Sequence, residues 1–301
     1  MSSKSKVVKR TIRYGVITAK KENKPVALED IFKQINNLDF ENNERYLDLS
    51  DGIRLAVILN NDSYPIIEGM IGDSRAKELP VVETQGDLKK LNLEEGSGLF
   101  DAIHFIIYLN SNNLPIIIYE FNIRAPRIER LSQYLMAKFH DEVDYVSIDP
   151  INSMSIKDVM KNIKLPSRVT IRAHNSCSLL DIDKNLDDLF SSARNVSDCD
   201  YITVSFSKKS GRKEPVSFSG FENIATFMNS SQAKLLESFK IEHKNEKGIN
   251  EEIELLDLFL HDKINLPTMS DDSRFLDSKK VFESLKDCKL KQEKIINGVK
   301  R

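Results

Sequence analysis

The sequence predicts an α+β protein: a largely antiparallel sheet with packed helices in the N-terminal part, followed by a second, smaller α+β unit. Three observations predict it. Residues 46–49, 53–59 and 66–70 are short apolar runs separated by Asp51-Gly52 and Asn60-Asn61-Asp62-Ser63, the turn chemistry of an antiparallel meander. Residues 101–121 hold two longer apolar runs around Asn110-Ser111-Asn112-Asn113, the strongest turn signal in the chain. Leu28, Ile31, Phe32, Ile35 and Leu38 fall at helical spacing, so helices interleave with the strands.

The elements follow in order. Residues 7–18 alternate as a strand, and residues 27–38 form the first amphipathic helix. After the meander, residues 72–98 are polar and carry Pro80, Gly86 and Gly96, an excursion with a short helix near residues 87–91. The hairpin at 102–121 leads into a helix with Ile128, Leu131, Leu135 and Phe139 on one face. Residues 145–148 are a strand, and Ile156, Val159 and Ile163 mark a short helix after Pro150. Pro150 and Pro166 bracket a linker, giving an N-terminal domain at 1–155 and a C-terminal domain at 166–301 that ends in a helix. Within the second, residues 168–173 and 201–207 alternate as strands. Residues 179–193 and 221–228 are helical, and residues 239–254 form a polar hairpin. Residues 255–266 fit helix or strand, and residues 277–294 form the last helix.

Composition narrows the function classes. The chain has 301 residues, 40% apolar and 30% charged, enough for a sizeable core and too apolar for a disordered protein. Its formal charge of −2 gives the molecule as a whole no electrostatic case for nucleic acid or an anionic membrane. Basic residues concentrate in the first 24 positions, at Lys4, Lys6, Lys9, Arg10, Arg13, Lys20, Lys21 and Lys24, which reads as a solvated basic arm. Cys177, Cys199 and Cys288 are far apart, with no disulfide framework, which predicts a reducing, cytoplasmic setting. No continuous apolar segment predicts a signal peptide or a membrane span.

Candidate chemistry centres on residues 101–130. A four-residue loop at 110–113 would set Ile103 opposite Glu120 and Asp101 opposite Asn122. Asp101, Ile103, Glu120 and Asn122 would then share one face, with His104 on the other. Same-face diagonal neighbours lie about 7–8 Å apart, near enough for two carboxylates to converge on Mg²⁺. Arg124, Arg127 and Arg130 follow at once and could neutralise a phosphate. The competing expectation is structural. The second strand is apolar on both faces, so Glu120 would be buried and paired with Arg124 or Arg127.

No two histidines stand at ligand spacing, so no zinc site is expected. His104 reads as a core histidine. His174-Asn175-Ser176-Cys177 reads as a polar turn rather than a Cys–His nucleophile. Gly96-Ser97-Gly98 lacks a phosphate-loop pattern. Lys208, Lys209, Arg212 and Lys213 crown a basic hairpin tip that could touch phosphates without reading sequence.

Two resemblances add to this. Asp101, with Glu120-Phe121-Asn122, resembles the metal-binding core of the PD-(D/E)xK nucleases, with Asn122 where that family has lysine and Phe100 where it has proline. It implies a catalytic set of Asp101, Glu120 and Asn122, with Asp101 and Glu120 as Mg²⁺ ligands and hydrolysis by water activated by the metal alone. The wider layout resembles uncharacterised prokaryotic proteins of anti-phage and mobile-element loci. The stretch Ile116-Ile117-Ile118-Tyr119-Glu120-Phe121-Asn122-Ile123-Arg124-Ala125-Pro126-Arg127 carries that resemblance, with Glu254-Leu255-Leu256-Asp257 and Phe275-Leu276-Asp277-Ser278. It implies a setting in host defence.

The leading expectation is a non-enzymatic binding or effector-assembly protein without a cofactor. It would meet a protein partner or a second copy, and contact nucleic acid through its basic arm, Arg124, Arg127 and the 208–213 loop, with no membrane. The alternative is a Mg²⁺-dependent nuclease using Asp101 and Glu120. The third is a structural subunit with an interface formed by helices 127–139 and 277–294.

Overall fold

The computed structural model describes residues 6–50, 52–61, 64–75, 81–84, 87–91, 93, 98–111, 114–122, 125–163, 166–208, 216, 221–244, 248–270 and 273–299. The fold is α+β, and it divides into two compact units: Met1–Ile148 with Asp262–Arg301, and Asp149–His261.

The first unit is built on strands β1 (Val7–Lys21), β2 (Lys24–Pro25), β3 (Tyr46–Ser50), β4 (Ile53–Asn61), β5 (Ile66–Arg75), β6 (Val81–Thr84), β7 (Asp87–Lys90), β8 (Leu99–Ser111), β9 (Leu114–Phe121) and β10 (Tyr145–Pro150). Its helices α1 (Leu28–Asn37) and α2 (Glu129–Lys138) lie between them in sequence. The main sheet runs β10-β1-β9-β8-β5-β4-β3. The predicted meander is β3-β4-β5, and Gly52 turns between its first two strands at φ 79°, a conformation glycine adopts without strain.

Both faces of this sheet are covered, which is why β9 is apolar on both faces from Leu114 to Ile118. On one face Ile17, Leu55, Ile71, Ile103, Phe105 and Ile117 pack with Phe32 and Ile35 of α1 and Leu131, Tyr134 and Leu135 of α2. The other face carries Ile12, Tyr14, Met70, His104, Ile106, Ile118 and Glu120, as the cross-strand registers show.

The second unit contains α3 (Ile156–Asn162), β11 (Pro166–His174), α4 (Lys184–Val196), β12 (Tyr201–Ser207), α5 (Ile224–Phe227), β13 (Leu236–Lys244) and β14 (Asn250–Glu254). Its sheet runs β12-β11-β13-β14. Val169, Ile171, Phe239 and Ile241 face a core with Leu186 and Phe190 of α4 and Phe227 of α5. The opposite face is polar and tied by cross-strand pairs such as Arg168–Glu242 at 3.0 Å and Lys240–Glu252 at 2.7 Å.

The chain then returns to the first unit through β15 (His261–Pro267), which pairs with β1, and ends in α6 (Ser278–Lys291) and α7 (Glu293–Asn297). Helix α6 packs on β8 and β9. This corrects the C-terminal domain expected at 166–301, because its last forty residues complete the first sheet and its second face. The ambiguous stretch at 255–266 divides into a 3-10 turn at Leu255–Leu258 and the strand β15.

Two further expectations change. Residues 87–91 do not form a helix: β7 pairs back on β6, Thr84 facing Asp87 across a two-residue connection, a hairpin length. The register of the 102–121 hairpin also differs. Ser111 pairs with Leu114, an irregularity follows between Tyr108 and Ser111, and then Phe105 pairs with Tyr119 and Ile106 with Ile118. Continuing that register sets His104, not Ile103, opposite Glu120. A one-residue slip exchanges the faces of a strand, so His104 and Glu120 share a face and Asp101 lies on the other.

Candidate functional site: a cavity over a buried carboxylate and imidazole

Glu120 is the penultimate residue of the central strand β9 and is 2% exposed, while His104 on β8 is 1% exposed. A carboxylate so deeply buried needs a partner. His104 supplies it, with Nδ1 3.2 Å from Glu120 Oε1. On its far side His104 Nε2 lies 2.8 Å from Oγ of Ser278, the first residue of α6. A neutral imidazole that donates from Nδ1 to the carboxylate accepts the Ser278 hydroxyl at Nε2. Phe275 and Phe282 flank the ring at centroid distances of 5.8 and 5.4 Å.

This carboxylate–imidazole–hydroxyl chain has the connectivity of a nucleophilic relay. Its surroundings favour a positioning role instead. Ser278 is half-buried, and its hydroxyl also lies 3.7 Å from Met70 Sδ on the sheet. Two similar polar links hold the rest of α6 down. Lys286 Nζ meets the buried Glu68 Oε1 at 2.5 Å. Past the end of α6, Gln292 Nε2 donates to Asp262 at 3.2 Å, and Asp262 also accepts from the Tyr14 hydroxyl. Burial, and then the Asp262 bond, push the Tyr14 phenol far above its ordinary range.

Beside the Glu120–His104 pair is a cavity of about 700 Å³. Its wall comes from Lys6 ahead of β1 and Lys9 and Arg10 at its start, from β8 (Phe100, Asp101, His104), from Glu120 and Asn122, and from Arg274 and Phe275 ahead of α6. Two of the lining residues each hold a buried polar atom with no hydrogen-bond partner among the described residues: Glu120 Oε2, an acceptor, and Arg10 Nε, a donor. The β1–β9 register pairs Ile12 with Glu120, so Arg10 is the diagonal neighbour of Glu120 on the same face.

The cavity brings together Asp101, Glu120 and Asn122 of the predicted site. Their expected common face is corrected by the register above, because the slip turns Asp101 away from Glu120. Asp101 Oδ2 pairs with Arg75 at 3.1 Å, both half-exposed, and stands across from Asp73 on β5. Burial raises the Asp73 carboxyl above its ordinary range, Arg130 and Arg75 oppose this, and Asp101 adds to it. Among the described residues no group of three or more His, Cys, Asp or Glu is arranged to hold a metal ion.

The partner expected for Glu120 was an arginine following in sequence, and the bond to Oε1 comes instead from His104 across the sheet. Arg127 is half-buried just before α2, and Lys208 is half-buried in the second unit, its backbone N–H bonded to Ser167 O at 3.1 Å. Arg124, Lys209, Arg212 and Lys213 lie outside the described residues. The apolar faces of α2 and α6, expected to form an interface, are buried within their own unit through Leu131, Leu135, Val281, Phe282 and Leu285. His174 Nδ1 bonds Ser176, while the buried Cys177 thiol points to Gln232 O at 3.6 Å. Among the described residues no helix is long and apolar enough to cross a membrane.

Sequence reasoning missed Arg10, Arg274 and Phe275 as wall residues, and His104 as the partner of Glu120. Arg10 alone carried a signal, since it sits in the basic arm and at an alternating position of β1. The arm is a paired strand from Val7 onward, with Arg13 stacked 3.9 Å over Phe121. No family model matches the chain, and no curated protein matches it.

Proposed function

We propose that the chain is a non-enzymatic binding protein that holds a phosphate group of a nucleotide or nucleic-acid strand in the cavity of its first unit. One observation carries this reading: the charge lining the cavity. Lys6, Lys9, Arg10 and Arg274 stand against two carboxylates, and both of those are engaged, Asp101 by Arg75 and Glu120 by His104. Cations gathered at a concave wall attract phosphate, and such binding weakens as salt rises.

The test is retention of single-stranded DNA and RNA by the full chain between 50 and 200 mM salt, roughly the range over which phosphate-driven binding falls steeply. Binding should weaken with salt, and Lys9→Met and Arg274→Met should each reduce the steepness. Binding indifferent to salt, or none, would overturn the reading. The assembly role and the host-defence setting are supported only by the resemblance that the 116–127, 254–257 and 275–278 segments carry.

A second reading, the metal-dependent nuclease, is favoured by Asp101, Glu120 and Asn122 lining one cavity. Cleavage of the same strands with Mg²⁺ or Mn²⁺ that is lost in Asp101→Asn would replace the non-enzymatic reading.

A further inference from the structure

We infer that this cavity selects a nucleotide by its base, with Glu120 Oε2 accepting a hydrogen bond from a donor on the base edge. The inference rests on the phosphate-binding reading above and adds a second contact to it. A phosphate needs only the cations. It does not account for a buried carboxylate oxygen that has no hydrogen-bond partner among the described residues and belongs to Glu120, a cavity-lining residue 2% exposed. Leaving such an acceptor unsatisfied is costly, so a ligand that supplies a donor there gains more than one that does not. Because His104 holds the other oxygen at 3.2 Å, the acceptor is fixed in orientation before any ligand arrives.

Two further features match a planar, phosphorylated heterocycle. Phe100 and Phe275 both line the cavity and offer apolar ring surface for a base. Arg10 Nε is an unsatisfied donor diagonal to Glu120, so the wall presents one donor and one acceptor side by side, as a base edge does. The cavity volume of about 700 Å³ lies within the range of small-molecule sites.

The test compares four probes on the wild-type chain by calorimetry: adenosine 5′-monophosphate, guanosine 5′-monophosphate, purine riboside 5′-monophosphate and ribose 5-phosphate. The unsubstituted purine keeps the ring and the phosphate but has no N–H on its base. At least one of the first two should bind about tenfold or more tighter than the purine analogue, the factor expected for a hydrogen bond to a buried charged group. That ratio should hold as salt rises while all affinities fall, and Glu120→Gln should reduce it severalfold. The wild-type comparison stands even where the variant is poorly folded. Equal affinity for all four probes, weakening with salt, would overturn base selection and leave phosphate binding standing. Salt-dependent binding of DNA or RNA strands with no binding of any monomer would do the same. No binding of any probe or strand would overturn both.

Discussion

The buried pair of His104 and Glu120 makes an energetic prediction that separates a structural role from a binding one. In His104→Phe the imidazole is lost and Glu120, 2% exposed, retains a carboxylate with no bond to Oε1. Leaving a buried carboxylate without its partner in this way costs about 3–5 kcal/mol. In Glu120→Met the reverse happens: the Nδ1 of a residue 1% exposed loses its partner, at about 1–3 kcal/mol. Independent sites would then lose about 4–8 kcal/mol together, much of the roughly 5–15 kcal/mol that holds a domain folded. The double variant should instead be close to wild type, because an apolar pair of similar volume replaces both polar groups and Phe275 and Phe282 offer ring contacts to the new phenyl. Urea unfolding, followed by circular dichroism, measures all four chains, with an unchanged slope required for the comparison. Single variants that each lose less than about 1 kcal/mol, or a double variant that equals their sum within about 0.5 kcal/mol, would refute the pairing. A stable double variant that no longer binds phosphate ligands would assign the pair to the site rather than to the fold.

Three further outcomes follow from other parts of the molecule. A Cβ at Gly72 would lie 2.4 Å from Phe100 Cζ and 2.9 Å from Ala102 Cβ, so Gly72→Ala should cost about 1–3 kcal/mol in thermal or urea unfolding. Pairing it with Phe100→Leu should restore part of that loss, and no loss in the single variant would contradict the close approach. The Cys177 thiol is buried and pushed up to about 12 by burial, Cys288 is buried and raised for the same reason, and Cys199 is half-exposed. Iodoacetamide at pH 8 should therefore label Cys199 first in the native chain and all three in urea, by mass spectrometry; early labelling of Cys177 would count against this packing. The Asp73 carboxyl is raised by burial, so the folded state holds its proton more tightly than the unfolded state does. Its contribution is fully present below the unfolded value of about 3.9 and is lost as pH rises through the raised folded value. Stability of the wild type relative to Asp73→Asn should thus improve as pH falls from neutral toward 4, and a flat difference would refute the assignment.

The parts of the fold that repeat a local rule were legible in the sequence. The β3-β4-β5 meander was marked by Asp51-Gly52 and Asn60-Asn61, and α1 by the spacing of Leu28, Ile31, Phe32 and Ile35, all four buried. The caps that start the later helices use Asp183, whose side chain accepts from Leu186 N, and Asp277, which accepts from Lys280 N. What sequence order hides is return. Nothing local in residues 262–301 says that β15 pairs with a strand 250 residues earlier, or that the apolar side of α6 closes the second face of that sheet. The burial of β9 on both faces was readable, but the element that covers it was not.

The same distinction explains the site. A carboxylate at the end of a doubly covered strand takes its partner from the strand beside it, and the parity of the register decides which residue that is. Arg124 and Arg127 are nearer Glu120 in sequence, yet the irregularity between Tyr108 and Ser111 shifts β8 by one residue and sets His104 against it. Because the side-chain period along a strand is two, that single shift also separates Asp101 from Glu120, while the unbroken β1–β9 register on the other side sets Arg10 diagonal to Glu120. One extra residue in a hairpin thereby changes the chemistry at its open end. The two carboxylates expected on one face stand on opposite faces, and Glu120 shares its face with His104 and Arg10 instead.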